Sequence, residues 1–377
     1  MDNLKLIVLS NFSEVGEKVD RHLQKLYGVN KSFIVPIEEI RFNNGEGKIV
    51  IKDSIREKDV FILSDVGNYS CTYNMFGFEN HKSADDHFQD IKRVIYAIKG
   101  QAEHIHIITP LLYESRQHRR KGRESLDCAL GLQDLASLNV KDIITFDAHD
   151  VGMQNAVPLT SFENFYPTMT ILNQFIKNEE IDLNNMLIVS PDIGAVARAR
   201  SYAEIFSTNV GMFYKRRDLT KVINGKNPIV EHKYIGEDVK GKTIIVVDDM
   251  IASGDSMIDV AKSLKELGAS KVYLTATFSL FTNGIENFKK AHNDGLFEKV
   301  YSTNLSYANG NYDNEDWFVK VDCSKQIAKI IEHLNKKLTL SELLDDRKKI
   351  TEYIKENNFT INPVEVNCIN NSETISL

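Results

Sequence analysis

The run with the richest chemistry is Thr243–Gly268, TIIVVDDMIASGDSMIDVAKSLKELG. An apolar strand, Thr243–Val247, leads into the pair Asp248-Asp249, then a Ser/Gly turn, then an amphipathic helix starting near Asp255. A helix start offers free backbone N–H groups and the positive end of a dipole, which suit a phosphate. Gly254 lets the backbone approach an anion closely, and Ser253 and Ser256 add hydroxyl donors. Two carboxylates just before such a cradle match two hydroxyls of a sugar, so the run is expected to hold a sugar phosphate. The plain alternative is an acidic strand end followed by a capping serine.

Three other places carry charge in a usable pattern. Arg116, Arg119, Arg120, Lys121 and Arg123 put five cations within eight residues of a chain whose net charge is −7. Such focusing suits a polyphosphate; a solvated helix face or a nucleic-acid patch is the alternative. His149 follows the strand end FDA, and Asp192 precedes the Ile-Gly of another strand-to-helix turn. Both stand at strand ends, where such sheets bind ligands, and a divalent cation there would prefer their oxygen neighbours to the histidine itself. A hydrogen-bonded core histidine and a helix cap are the structural alternatives. Lys215-Arg216-Arg217 follows a strand and precedes the polar stretch 218–227, which is expected to be a mobile loop.

Elements that could position these groups are visible as short β-branched runs: Leu4–Leu9, Val60–Leu63, His104–Thr109, Asp142–Phe146, Met186–Ser190, Gly211–Tyr214, Thr243–Val247 and Lys271–Thr277. Between them, Ile91, Val94, Ile95 and Ile98 recur at helical spacing, as do Met257, Ala261 and Leu264. Strands alternating with helices predict an α/β fold with mainly parallel sheets, and 377 residues suffice for two such units. In such sheets ligands bind at the carboxyl ends of strands. The polar, aperiodic segments Asn68–Asp86 and Asn304–Trp317 read as extended loops, and the asparagine-rich end reads as a loose tail.

Composition narrows the function. A hydrophobic fraction of 42% with 26% charged residues is ordinary for a globular protein. The acidic balance argues against sequence-independent nucleic-acid binding. No apolar run reaches the ~20 residues needed to span a bilayer, and Met1–Ser10 lacks the pattern of a signal peptide. Cys71, Cys128, Cys323 and Cys368 form no CxxC pair and are expected to be free thiols of a cytoplasmic protein.

VVDDMIASGDS resembles the phosphoribosyl-diphosphate loop of the type I phosphoribosyltransferase fold. RFNNGE at 41–46, SRQHRRKGR at 115–123, TFDAH at 145–149, SPDIG at 190–194 and KRR at 215–217 resemble, in order, one branch of it, the ribose-phosphate pyrophosphokinases. The similarity extends over about residues 4–346. It implies two tandem phosphoribosyltransferase-like domains, 1–163 and 164–322, with 323–346 returning to the first and 347–377 as an extension. It implies ATP, ribose 5-phosphate and Mg2+ as ligands, and a homo-oligomer of dimers assembling to a hexamer. Asp248 and Asp249 would bind the ribose hydroxyls, and Ser253, Gly254, Asp255 and Ser256 the 5-phosphate. His149 and Asp192 would hold magnesium. Phe42, Asn44 and Glu46 from a neighbouring subunit, with Arg116, Gln117 and His118, would receive ATP. Lys215 and Arg217, with His149, would form the catalytic set.

The chain departs from the family pattern at defined points. Asn44 and His118 stand where the family commonly has Asp, Ala252 replaces the third Asp of the phosphate loop, Asp255 replaces a Gly, and Ala195 ends SPDIGA in place of Gly. Those at Asn44, His118 and Ala252 keep a non-catalytic, nucleotide-binding regulatory homologue open as an alternative, beside a phosphoribosyltransferase using the same sugar-phosphate loop.

Overall fold

The computed structural model describes residues 3–120, 122–217, 229–310, 312 and 315–344. Its strands are β1 (Leu4–Val8), β2 (Ile37–Arg41), β3 (Gly47–Ile51), β4 (Asp59–Leu63), β5 (Thr72–Met75), β6 (Phe78–His81), β7 (His104–Ile108), β8 (Asp142–Phe146) and β9 (Ser161–Phe165) in the first half. The second half adds β10 (Met186–Ser190), β11 (Val210–Arg217), β12 (Ile229–Ile235), β13 (Thr243–Ile251), β14 (Lys271–Ser279), β15 (Lys299–Thr303) and β16 (Phe318–Val321). The helices are α1 (Ser13–Tyr27), α2 (Ala84–Ile98), α3 (Asp127–Ser137), α4 (Thr168–Asn178), α5 (Val196–Phe206), α6 (Asp255–Glu266), α7 (Glu286–Asn293), α8 (Ser324–Asn335) and α9 (Ser341–Leu344).

Apolar β-branched runs become strands because both faces of a parallel sheet are covered, which favours near-continuous apolar runs. β4 and β8 are buried at every residue. The first sheet has the order β1-β4-β7-β8-β9 and is parallel throughout. The second, β12-β11-β10-β13-β14-β15-β16, is parallel except for the antiparallel β11–β12 pair. Helices cover both faces of each. In the first lobe α2 and α3 close one apolar layer, and α1 with α8 close the other. In the second, α6 and α7 lie on one face, α4 and α5 on the other. The expected architecture of two α/β lobes is therefore present. No helix among the described residues is long and apolar enough to cross a membrane. Cys71, Cys128 and Cys323 are free thiols; Cys368 and the expected extension 347–377 lie outside the described residues.

α8 packs not on the second lobe, which precedes it in sequence, but on α1. Ile327 and Ile331 share a core with Val19 and Leu23, and Asn335 receives the Tyr27 hydroxyl hydrogen bond (2.8 Å) while donating to Asp59 (2.8 Å). The carboxyl ends of the two sheets face each other: Phe278 and Leu305 enter the same core as Leu63, Ile108 and Phe146.

Two sequence expectations need correction. Asn68–Asp86 is not an extended loop: it contains the β5–β6 hairpin and the start of α2, capped by a reciprocal Ser83–Asp86 box. The hairpin was hidden because its strands alternate polar and exposed residues with no buried face. β13 continues four residues past Val247, to Ile251, so Asp248-Asp249 lies within the strand rather than just after its end. Of 304–317, the described residues form no strand or helix, yet Leu305, Ala308 and Trp317 are buried.

Asp65, at the carboxyl end of β4, ties the lobes together. It accepts hydrogen bonds from Ser306 Oγ (2.8 Å), the Tyr307 amide (2.7 Å) and its own loop's Gly67 amide (2.9 Å). Complete burial pushes its carboxyl up to about 6 despite these bonds. A folded value above the unfolded one gives stability that is full below about pH 4 and is lost as pH rises through 6. Thermal melts of the protein and Asp65→Asn should therefore show the difference between them shrinking from pH 5 to 7.5, by on the order of 1 kcal/mol. A difference independent of pH would mean that Asp65 does not titrate in this range.

Candidate active site

β13 carries Asp248 and Asp249 to the mouth of the cleft between the lobes, with Asp248 in register with Ala276 of β14. Gly254 then turns the chain into α6. Its φ of +88° lies in the left-handed region, and a Cβ there would fall 2.1 Å from Cε2 of Phe288. Both the backbone and the packing therefore demand glycine. Gly254→Ala should lower stability by about 2 kcal/mol in urea unfolding. A loss under a few tenths would mean that the turn and Phe288 readily give way.

Gly254, not Asp255, holds the N-cap position of α6. The Asp255 carboxylate instead accepts from Ser253 Oγ (3.1 Å), within the turn expected to cradle a phosphate. Its negative charge thus sits among the expected phosphate-binding groups. Asp255→Gly should tighten binding of a phosphate at this turn roughly three- to tenfold, the order of one exposed charge interaction. Unchanged affinity by calorimetry would place the Asp255 charge outside the phosphate's reach.

A charged network crosses the cleft. His149, just after β8, donates from Nδ1 to Oδ2 of Asp249 (2.7 Å). Arg198 on α5 binds Asp147 of the first lobe through Nε (2.8 Å) and Nη2 (2.7 Å), and its Nη1 lies 3.9 Å from Asp248. Thr277 on β14 donates to Asp147 as well (2.6 Å). Asp147 is held with φ +42°, a backbone strain maintained by Arg198 and Thr277. His118 meets the His149 ring edge-to-face at 5.2 Å between centroids, and its Nε2 is 3.6 Å from Asp150. Arg119 also reaches Asp150 (3.2 Å).

The electrostatics separate the two acids. Burial alone would raise Asp249, but the His149 hydrogen bond and the Arg198 charge hold it at about 2. Burial and the adjacent Asp249 charge push Asp248 well above the usual carboxylate range. The Asp249 hydrogen bond raises His149. Asp248 is thus a carboxyl short of positive partners, and hydroxyl donors or a cation would relieve it. The Asp192 charge also reaches Asp248, and carboxylates are the oxygen ligands a cation such as magnesium prefers. A cavity of about 630 Å³ opens beside the network, lined by His149, Tyr166, Arg119, Arg198, Arg200 and Leu344 among others. That volume suits a small ligand, and three arginines suit an anionic one.

The other expected site residues are placed as follows. Asp192 follows β10, and its Oδ1 is taken by the Gly194 (2.8 Å) and Ala195 (3.2 Å) amides, so it organises its own turn. The group bonded to His149 is Asp249, not Asp192. Arg116 and Gln117 precede His118 on the loop after β7, while Lys121 lies outside the described residues. Phe42, Asn44 and Glu46 form the tip of the β2–β3 hairpin, where the Phe42 amide bonds the Glu46 carbonyl (2.8 Å) and Asn44 accepts from the Glu46 amide (3.2 Å). Arg41 anchors the hairpin to Asp86 (3.2 Å) and Asp90 (3.3 Å) on α2. No described hydrogen bond or ion pair joins this tip to residues 116–118. Lys215 and Arg217 lie on the backbone of β11, which extends past Tyr214 and pairs with β12; their side chains, and the expected mobile loop 218–227, lie outside the described residues. Sequence reading missed Arg198, because VARAR on a helix reads as a solvated basic face. Its spacing six residues after Asp192 was the signal available.

Two phosphoribosyltransferase-type lobes meeting at the carboxyl ends of their sheets define the class of protein. Residues 4–138 match the N-terminal domain of ribose phosphate pyrophosphokinase, and residues 168–303 match the phosphoribosyl transferase domain. The ribose-phosphate pyrophosphokinase of Buchnera aphidicola subsp. Schizaphis graminum is 30% identical over 258 residues, covering 67% of this chain and 73% of that protein. That of a Nostoc species is 28% identical over 305 residues, covering 80% and 82%. The crystal structure of phosphoribosylpyrophosphate synthetase from Mycobacterium smegmatis shares the fold, with a TM-score of 0.70 at 20% identity, covering 89% of this chain and 100% of that one. The chain belongs to the ribose-phosphate pyrophosphokinase family.

Proposed function

We propose that this protein transfers the β,γ-diphosphoryl group of ATP to the anomeric hydroxyl of ribose 5-phosphate, giving phosphoribosyl diphosphate and AMP. The observation that carries the reading is the placement of Asp248, Asp249 and the Ser253–Ser256 turn on one strand-to-helix connection, in the cleft that His149 and Arg198 close from opposite lobes. Asp248 and Asp249 hold the ribose hydroxyls, and the turn holds the 5-phosphate. Arg116, Gln117 and His118 receive ATP, completed by Phe42, Asn44 and Glu46 of a neighbouring subunit. Lys215 and Arg217 grip the diphosphoryl group as it moves.

The hydroxyl attacks the β-phosphorus in line and AMP leaves from the opposite side. The protein contributes positioning and charge neutralisation. His149, fixed at Nδ1 by Asp249, keeps one ring orientation at the cleft. Magnesium, near His149 and Asp192, would neutralise the polyphosphate charge. The division into 1–163 with 323–346, and 164–322, follows the same reading. So does assembly of dimers into a hexamer. Phe42 is 45% exposed, and Phe76 and Phe78 on the adjacent hairpin are 73% and 74% exposed, apolar tips that suit burial by another subunit. A cytoplasmic setting fits the substrates.

Asp255 among the phosphate-binding groups favours a second reading, a regulatory homologue that binds nucleotide without turnover. Purified protein with Mg2+, ATP and ribose 5-phosphate decides: AMP formation dependent on ribose 5-phosphate supports the enzyme. ATP binding without AMP supports the regulator. AMP absent until a free base and phosphoribosyl diphosphate are supplied would refute both.

A further inference from the structure

At the opposite end of the first sheet, the amino ends of β4, β7 and β8 bring together Asp59, His104, His106 and Asp142. β-Register places Asp59 opposite His104, and His106 opposite Asp142. His104 and His106 are two apart on one strand and so share a face, the face covered by α1 and α8. His106 is only 2% exposed and stacks on Phe61 at 4.2 Å. It donates from Nδ1 to Asp142 (2.7 Å), which leaves Nε2 turned towards Asp59 Oδ1 at 4.0 Å. That nitrogen is buried and has no hydrogen-bond partner. His104 Nδ1 sits 2.7 Å from the same Asp59 oxygen, and one atom from each of Asp59, His104 and His106 lies within 4.8 Å of the others.

We infer that Asp59, His104 and His106 form a binding site for one transition-metal ion of the zinc class, separate from the catalytic cleft. Two imidazoles and one carboxylate are the ligands such an ion prefers, whereas magnesium prefers an all-oxygen shell. Donor atoms ~2.0–2.1 Å from a tetrahedral ion stand roughly 3.3–3.5 Å apart. The distances of 2.7 and 4.0 Å straddle that spacing and the third lies within 4.8 Å, so side-chain rotations bring the three donors onto one ion. The outer groups needed to orient the ligands are already in place. Asp142 fixes the His106 tautomer with Nε2 as the coordinating atom, and Asn335 holds the second Asp59 oxygen (2.8 Å). Since Asn335 ends α8, the ion would fasten that helix to the sheet through Asp59. His104, about a quarter exposed, is the side from which the ion enters.

Full-length protein stripped with chelator and titrated with Co2+ in millimolar Mg2+ tests this, because Co2+ in a four- or five-ligand nitrogen–oxygen site absorbs visibly. The protein should show the band, and His149→Gln, which alters only the cleft, should retain it. His104→Gln should weaken Co2+ uptake by about tenfold or more, and His106→Gln should abolish it. Zn2+ should displace Co2+ and, at a hundredfold excess over its Kd, raise the melting temperature by about 3–5 °C. If His106→Gln does not fold, the partly exposed His104 decides alone. Absence of the band in the parent protein, or its full retention in folded His104→Gln, overturns the site.

Discussion

Replacing Arg198 by methionine should destabilise the protein by about 3–5 kcal/mol, the cost of stripping one partner from a buried ion pair. The guanidinium is the cation that Asp147 and Asp248 share, and its charge also reaches Asp249. Without it three neighbouring carboxylates have only His149 and Thr277 as balancing partners within the network. Burial already lifts Asp147 above its ordinary range with the arginine present, so the pair costs much of what it returns. The double variant Asp147→Asn/Arg198→Met should therefore recover part of the loss. Urea unfolding of the single and double variants makes the comparison. A single variant within 1 kcal/mol of the parent would show that the network is wetter and weaker than its geometry suggests. Because Arg198 comes from α5 and Asp147 from the first lobe, the same variant should also loosen the cleft.

Lys215→Ala should cut turnover by roughly a hundred- to a thousandfold, or ~3–4 kcal/mol, while ATP and ribose 5-phosphate still bind. β11 carries Lys215 and Arg217 on extended backbone paired to β12, Lys215 opposite His232. The backbone at this point is therefore built rather than an isolated basic turn. Charges that meet the diphosphoryl group mainly in the transition state raise turnover and leave ground-state affinity almost unchanged. Single-turnover kinetics alongside calorimetric binding separates the two effects. Near-normal turnover would remove Lys215 from the mechanism, and equal loss of binding and turnover would make it a ground-state contact.

What the sequence disclosed follows from burial. β4, β8 and β10 were visible because strands buried on both faces are mostly apolar, here DVFIL, DIITF and MLIVS. β2, β5, β6 and β9 were not, since IEEIR, TYNM, FENH and SFENF are polar or mixed and only partly covered. β13 and β14 ran beyond the periodic signal because their last residues are set by the facing lobe, which no local pattern describes. In the site, the Asp pair and the glycine turn were legible as a contiguous run. Arg198 and Asp147 were not, as their meaning lies in a contact between α5 and the end of β8, about 50 positions apart. Asp255 was placed at the correct helix start, but its bond to Ser253 could be seen only in three dimensions.

The union of α8 with α1 has a consequence for how the protein is made. The apolar face of α1, with Val15, Val19 and Leu23, is covered by Ile327, Ile330 and Ile331, which leave the ribosome about 300 residues later. At synthesis rates of ~5–20 residues per second, that is a delay of roughly 15–60 s. Throughout it the growing chain carries an unfinished hydrophobic layer while the second lobe folds as an uninterrupted segment. The lobe begun first is therefore the lobe completed last, and the nascent chain presents a greasy helix face to chaperones until its final stretch emerges.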